Sequence, residues 1–198
     1  MFRKFSKVFS KLFAKVPWWQ RLALVAVSPV LLLNLTVAFV GGSAIFPLSP
    51  FYLSEKWSAL KLYVRHRPSC LFTGHEDLSI VTAKAEREAG LPKGLMQAII
   101  EVESDARSHR ISYAGAMGPA QLIPGTAAML GVKDPFDPEE SISGGARYLA
   151  SMLKRTGNVT LAVAAYNAGP NNVKGTVPQN GQTEFYVARV MRKFNHPD

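Results

Sequence analysis

The sequence predicts a mainly α-helical protein in which one membrane-spanning helix precedes a compact helical domain. Two observations lead to this fold class. An uncharged apolar run covers residues 22–40, which is the length that a helix needs to cross the hydrocarbon core of a bilayer. From residue 76 to residue 195, apolar residues recur at helical spacing, and glycine or proline separates the segments. No segment has a convincing strand pattern.

Positive charge is concentrated before the apolar run. The 198 residues carry a formal charge of +9, the first acidic residue is Glu55, and six cations lie within residues 1–21: Arg3, Lys4, Lys7, Lys11, Lys15 and Arg21. Nucleic-acid-binding proteins usually carry such charge on the folded domain, so nucleic acid is not an expected partner. The positive-inside rule instead predicts a cytoplasmic N-terminus. The domain beyond the run would then be exported; in a bacterium this means the periplasm or outer surface, with the run held in the inner membrane.

Phenylalanines at positions 2, 5, 9 and 13 recur at helical spacing among these cations. This pattern favours an amphipathic helix on the anionic inner leaflet.

The apolar run itself has two other interpretations. A cleavable signal peptide would use the small residues 42–44 as its cleavage site, although the run is long for the apolar part of a signal. The second alternative interpretation is a buried helix of a soluble domain. The run has apolar residues on all sides and no polar face. Its interruptions, Ser28, Pro29, Asn34 and Thr36, are tolerated in spanning helices.

Residues 41–75 are predicted to be a linker that contains a short helix over residues 54–64. Pro47 and Pro50 interrupt the chain before this helix. His66 and His75 have no companions and are interpreted as ordinary polar side chains. The lone Cys70 can form neither an intramolecular disulfide nor a metal site by itself.

The C-terminal domain, residues 76–195, contains six predicted helices. Gly90 ends the first, and Gly169-Pro170 stops the fifth. Asp137 is a predicted N-cap, with Pro138 in the first turn and Glu140 three residues on. The predicted helices cover residues 76–89, 93–104, 125–130, 138–155, 159–167 and 183–194.

The second of these helices carries two glutamates on different faces. Glu101 aligns with Gln97 and Asp105 in a polar stripe, whereas Glu103 follows Ile99 and Ile100 at the edge of the apolar face. Burial and the negative end of the helix dipole both disfavour a charged carboxylate there, which predicts a raised pKa suited to a general acid. The alternative is a boundary glutamate paired with an arginine, such as Arg107 or Arg110.

Two blocks of sequence resemble the signatures of one enzyme family. These are Glu103-Ser104 followed by SYAGAMGPAQLIPGTA at residues 112–127, and AAYNAGP at residues 164–170. In order and spacing they are similar to the lytic transglycosylases with the goose-type-lysozyme-like catalytic domain of the soluble lytic transglycosylases. The resemblance covers residues 76–195 and implies a lysozyme-like helical fold.

The resemblance also implies roles for single residues. Glu103 would be the sole catalytic acid/base, and Tyr166 would lie close to its carboxylate and orient it. The other implied substrate-binding residues are Ser112, Gln121, Ile123 and Asn167. The family usually has Leu-Met where this chain has Pro119-Ala120, and it often has methionine at position 123 and asparagine at position 141. It usually has glutamate at position 182, where this chain has glutamine.

The resemblance implies an enzyme that cleaves the bond between N-acetylmuramic acid and N-acetylglucosamine, leaving 1,6-anhydro ends, and the apolar run predicts that this enzyme is membrane-anchored. Peptidoglycan strands would be the substrate, and neither a metal nor a cofactor is expected. Two alternatives are a hydrolase on the same fold and a non-catalytic peptidoglycan-binding component of a cell-envelope machine. A secretion or division machine would be the partner class.

Overall fold

The computed structural model describes residues 16–42, 46–66 and 77–197. The regular structure within these ranges is helical, with two isolated β-bridges that join Met117 to Ile111 and to Leu122. The predicted mainly α fold is therefore confirmed. The predicted inner-leaflet helix, Cys70 and His75 lie outside the described residues. The helices are α1 (Trp18–Gly41), α2 (Leu53–Arg65), α3 (Ser79–Ala89), α4 (Leu95–Ser104), α5 (Pro124–Met129), α6 (Pro138–Thr156), α7 (Val159–Ala168) and α8 (Gln182–Asn195).

The predicted helices are present, with ends that shift by a few residues. Gly90 ends α3 in the left-handed conformation, as expected of a C-terminal glycine. Asp137 caps α6 by accepting from the Glu140 N–H. The capping box is not completed in the usual way, because the Asp137 N–H donates to the Asp134 carbonyl. The Glu140 carboxylate accepts from the N–H groups of Lys133 and Asp134 instead.

The core of the C-terminal domain forms around α4. Leu95, Met96, Ile99 and Ile100 on this helix are fully buried. They belong to one cluster with residues of α6, α7 and α8, including Ile142, Leu149, Val163 and Val190. Four buried apolar side chains within six residues leave α4 with little freedom to rotate. The position of Glu103 on this helix is therefore set by the core.

A second, smaller core joins α1 and α2 to a loop of the domain. Its buried members are Val37 of α1, Ala59 and Tyr63 of α2, and Ile111, Met117 and Phe136 beyond them. The Ile111 N–H donates to the Gly41 carbonyl at 3.2 Å. Residues 46–66 thus form a packed unit that includes the predicted short helix.

His66 ends this unit in a buried position. Its Nδ1 lies 2.8 Å from Oδ2 of Asp134, and its ring packs against Phe136. The sequence does not predict this partner, because Asp134 is 68 residues away along the chain.

Candidate active site

Glu103 opens onto a cavity of about 390 Å³ between α4, the loop at residues 112–123, and the end of α7. It stands in the last turn of α4, and the chain turns away directly afterwards because Asp105 and Ala106 adopt left-handed backbone conformations. The only carboxyl side chain among the described residues that line this cavity is Glu103.

Burial dominates the ionisation of Glu103. It raises the pKa of the carboxyl from an ordinary 4.5 to about 7, as the position on the apolar edge predicts. Two groups act in the opposite direction: a hydrogen bond from Tyr186 and the positive charge of Arg189 lower the pKa. The cation that acts on Glu103 is thus Arg189 of α8, whereas Arg107 donates from Nε to the Ser104 carbonyl. A carboxyl with a pKa near 7 can donate and accept a proton at neutral pH.

Two buried tyrosines have different tasks around the carboxyl. The Tyr186 hydroxyl donates to Oε1 of Glu103 at 2.8 Å. The Tyr166 hydroxyl, in contrast, donates to the Ala120 carbonyl at 2.8 Å. Burial raises the pKa of both tyrosine hydroxyls, and the negative charge of Glu103 adds to this increase. Tyr166 therefore lies near the carboxylate, but its hydrogen bond holds the loop.

Glu101 belongs to a different surface, as helical phase predicts. Its Oε1 accepts from Nε2 of Gln97 at 3.0 Å, and its Oε2 lies 2.8 Å from the Lys193 ammonium. The two glutamates of α4 therefore differ in environment although they are two residues apart, and they form a natural pair for comparison.

The loop beside Glu103 is held by its own hydrogen bonds. Gln121 has a backbone φ of +49°, a region that side chains other than glycine rarely adopt. Its Nε2 donates to the carbonyls of Arg110 and Gly118. The Ser112 Oγ accepts from the Ala116 N–H at 3.0 Å. Both side chains line the cavity and brace the loop at the same time.

The structure places all six predicted site residues on this one cavity: Glu103, Ser112, Gln121, Ile123, Tyr166 and Asn167. Asn167 also accepts a hydrogen bond from the Thr183 hydroxyl, which links α7 to α8. Of the residues that depart from the family pattern, Ile123 and Gln182 line the cavity, whereas Pro119 and Ala120 are buried beneath it. The departure at Pro119-Ala120 therefore affects the support of the loop.

Sequence reasoning missed Tyr186 as the hydrogen-bond partner of Glu103. A tyrosine within a predicted helix gives no sign of which group its hydroxyl contacts. It also missed Tyr148 and Thr126, which line the cavity. Tyr148 packs against Tyr166 with ring centres 5.4 Å apart.

Comparisons with known proteins find several relatives of this chain. A 35% identical relative over 111 residues is a transglycosylase of Enterobacteria phage PRD1; the match covers 56% of this chain and 40% of that protein. The membrane-bound lytic murein transglycosylase F 2 of Alkalilimnicola ehrlichii is 40% identical over 93 residues, and the match covers 43% of this chain and 21% of that protein. The membrane-bound lytic murein transglycosylase F of Yersinia enterocolitica is 36% identical over 119 residues, and the match covers 54% of this chain and 24% of that protein.

A solved structure gives a similar match. It is an inactive mutant of the lytic transglycosylase Slt from Pseudomonas aeruginosa, 27% identical with a TM-score of 0.48, and the match covers 60% of this chain and 24% of that one. The chain spans less than half the length of each of these relatives. A family model described as the transglycosylase SLT domain matches residues 80–188, more than half of the chain. The protein therefore belongs to the transglycosylase SLT domain family.

Proposed function

We propose that the protein is a membrane-anchored peptidoglycan lytic transglycosylase with Glu103 as its single acid/base. The observation that carries the proposal is the Glu103 carboxyl, whose pKa of about 7 arises from burial beside a cavity large enough for sugar rings. Glycosidases that use water as the acceptor commonly need two carboxyls. A lone carboxyl in the described lining fits a reaction in which one group acts first as an acid and then as a base.

In the proposed reaction, protonated Glu103 donates its proton to the oxygen between N-acetylmuramic acid and N-acetylglucosamine. The bond from this oxygen to the muramic C1 breaks, and the 2-acetamido group of the substrate stabilises the positive charge at C1. The Glu103 carboxylate then removes the proton from the C6 hydroxyl, whose oxygen bonds to C1 and closes the 1,6-anhydro ring. Glu103 finishes protonated, so the cycle requires neither water nor a cofactor.

The surrounding residues would divide the supporting roles. Tyr186 stabilises the carboxylate form through its hydrogen bond and so helps Glu103 act as a base. Tyr166 holds the loop that carries Gln121, through the Ala120 carbonyl. Ser112, Gln121, Ile123 and Asn167 would contact the glycan from the cavity wall.

We also propose that α1 anchors the chain in the bacterial inner membrane, with a cytoplasmic N-terminus and a periplasmic domain. The helix has 24 residues, a mean hydropathy of 2.3 over its most apolar window, and only 11% of that window buried in the protein. Two of the relatives are named membrane-bound. The domain boundaries follow as a basic segment at 1–21, a span at 22–40, a juxtamembrane unit at 41–75 and the enzyme domain at 76–195. A secretion or division machine that opens the wall locally is the partner class that such a tethered enzyme fits.

The activity is tested by digesting purified sacculi with the detergent-solubilised protein and analysing the released fragments by mass spectrometry. Anhydro-muramic ends are the expected product. Reducing ends would identify a hydrolase on the same fold. Glu103→Gln should abolish release, and Glu101→Gln, which changes the neighbouring surface carboxyl, should behave like the unmodified protein. No release by the unmodified protein, with Glu103→Gln behaving in the same way, would leave a peptidoglycan-binding role.

Membrane fractionation tests the anchor separately. The intact chain is expected in the membrane fraction and should resist extraction by high salt. A soluble form that begins near Ala44 would show that the segment is a cleaved signal.

A further inference from the structure

Exposed aromatic side chains follow the anchor helix directly. Phe46, Phe51, Tyr52 and Trp57, here called the juxtamembrane aromatic segment, are each at least half exposed. They belong to the turns that lead into α2 and to its first residues. A cluster of exposed aromatic side chains of this size usually marks a surface that another molecule or a membrane covers.

The backbone places this segment beside the anchor rather than beyond its end. Nδ2 of Asn34 donates to the carbonyls of Pro47 and Ser49 at 3.2 and 2.9 Å. Asn34 lies seven residues before Gly41, roughly 10 Å down the helix axis. Residues 47–49 therefore lie beside α1 at the level of Asn34 and not beyond the end of the helix.

The last turns of α1 have two different faces. Asn34, Val37 and Gly41 are buried against the protein. Leu32, Leu35 and Phe39 remain exposed, and Phe39 is 91% exposed. The exposed face is thus apolar up to the end of the helix.

The length of α1 decides where the bilayer ends. Its 24 residues extend roughly 36 Å, against a hydrocarbon core of about 30 Å. If the core stopped below Asn34, the span would measure only about 24 Å, and Leu35 and Phe39 would face water. A bilayer that covers these side chains reaches the level of Asn34, which is hydrogen-bonded to Pro47 and Ser49 in the stretch that carries the aromatic residues.

The polar groups at this level are enclosed, as a position at the membrane edge requires. Lys56 and Asn34 are both fully buried. The Lys56 ammonium donates to Oδ1 of Asn34 at 2.8 Å and lies 4.9 Å from the centre of the Tyr113 ring. Charged and amide groups at membrane depth usually face the protein interior and pair with one another.

We propose that the juxtamembrane aromatic segment is seated in the outer interface of the lipid bilayer. Tryptophan and tyrosine prefer this zone because one edge of each ring is apolar and the other is polar. The proposal rests on the proposed anchoring role of α1. Together, the span and the seated segment attach the domain at two places, so the cavity with Glu103 stays at a fixed height. The enzyme would then act on the glycan nearest the membrane.

The test uses the fluorescence of one tryptophan at a time in the full-length chain, reconstituted into vesicles of phosphatidylcholine and phosphatidylglycerol. The chain has three tryptophans, so Trp18→Phe with Trp19→Phe leaves Trp57 as the reporter. Lipids brominated near the top of the acyl chain should quench Trp57 at least twofold more than lipids brominated near the chain end. Its emission should also lie to the blue of that of a tryptophan in water.

A matched variant separates the two proposals. Trp19→Phe with Trp57→Phe leaves Trp18, at the start of α1, as a reporter of insertion. If the bromolipids quench Trp18 and leave Trp57 unaffected, the seating is wrong and the anchor stands. If they quench neither, both proposals fail. Near-ultraviolet circular dichroism verifies that each variant retains its packed structure.

Discussion

The pKa of Glu103 reflects an imbalance between burial and two neighbouring groups. Burial favours the neutral carboxyl, while the Tyr186 hydroxyl and the Arg189 charge favour the carboxylate. Since burial is the larger influence, the pKa settles near 7 rather than near 4.5. A change in either neighbour should therefore alter the pH dependence of the reaction before it alters substrate binding.

Tyr186→Phe tests this balance. The variant loses the hydrogen bond that lowers the Glu103 pKa, so the pKa should rise. In the proposed mechanism the free enzyme must hold the proton, so kcat/KM falls on the alkaline side of this pKa. That decline should move to higher pH, as measured by turnover of soluble glycan fragments across a pH series.

Tyr166→Phe is the control for that experiment. It removes a hydroxyl that bonds the Ala120 carbonyl rather than Glu103. It should cost about 1 kcal/mol of stability and leave the alkaline decline in place. Equal shifts in the two variants would contradict the separate roles of the two tyrosines.

Glu103→Gln should also change the stability of the fold in a pH-dependent way. The folded pKa of about 7 exceeds the ordinary 4.5, so between these values the folded state binds more protons than the unfolded state. The unmodified protein thus loses stability as the pH rises through this window. The glutamine variant lacks this loss and should be more stable above pH 7, by on the order of 3 kcal/mol.

Urea unfolding at several pH values measures the difference. It should shrink toward acid pH, where the carboxyl is neutral in both states. A difference that is constant with pH would show that the carboxyl is ionised in the folded protein well below pH 7.

At the scale of elements, the position of the loop at 112–123 depends on the close packing of Gly118 against the Pro135 carbonyl. Gly118 has a φ of +71°, and a Cβ placed there would lie within bonding range of the Pro135 carbonyl oxygen. Its own N–H donates to the Arg110 carbonyl. The loop can therefore reach its position beside Glu103 only with glycine at this point.

Gly118→Ala should destabilise the domain by about 3 kcal/mol, because the side chain meets backbone that cannot yield. Gly125→Ala is a matched control, since no atom lies within 4 Å of its added Cβ and alanine favours the helix. Thermal unfolding of both variants checks the prediction. A Gly118→Ala variant as stable as the control would contradict the close packing of this loop on Pro135.

At the scale of the whole molecule, α1 and the loop at 112–123 share a core with Ile111. The contact of Gly41 with Ile111 is close, and a Cβ at Gly41 would lie 2.5 Å from the Ile111 Cβ. Gly115 of the same loop packs on the backbone of Glu55 and Lys56. The juxtamembrane unit thus supports the loop that bears Ser112.

Gly41→Val should push α1 away from this loop in the full-length protein. Amide hydrogen exchange at residues 111–117 should accelerate, while exchange in α6 and α7 should stay unchanged. Phe39→Val, on the exposed face of the same helix, is the control and should change neither. Unaltered exchange in Gly41→Val would mean that the loop keeps its structure without its contact with α1.

Local pattern determined much of this protein. The uncharged run, the capping residues and the recurrence of apolar residues predicted the helices, because these signals act within a few residues of sequence. Helical phase was enough to separate Glu103 from Glu101, and the Glu103 pKa follows the predicted direction.

Only the tertiary structure decided the contacts between distant segments. Tyr186 reaches Glu103 across 83 positions, and Lys56 meets Asn34 across 22. No sequence spacing encodes such pairs, because they depend on how whole helices pack around a shared core. For the same reason, residues 46–66 of the segment predicted as a linker pack against the loop at 112–123, and α1 has one face in this core and one exposed apolar face.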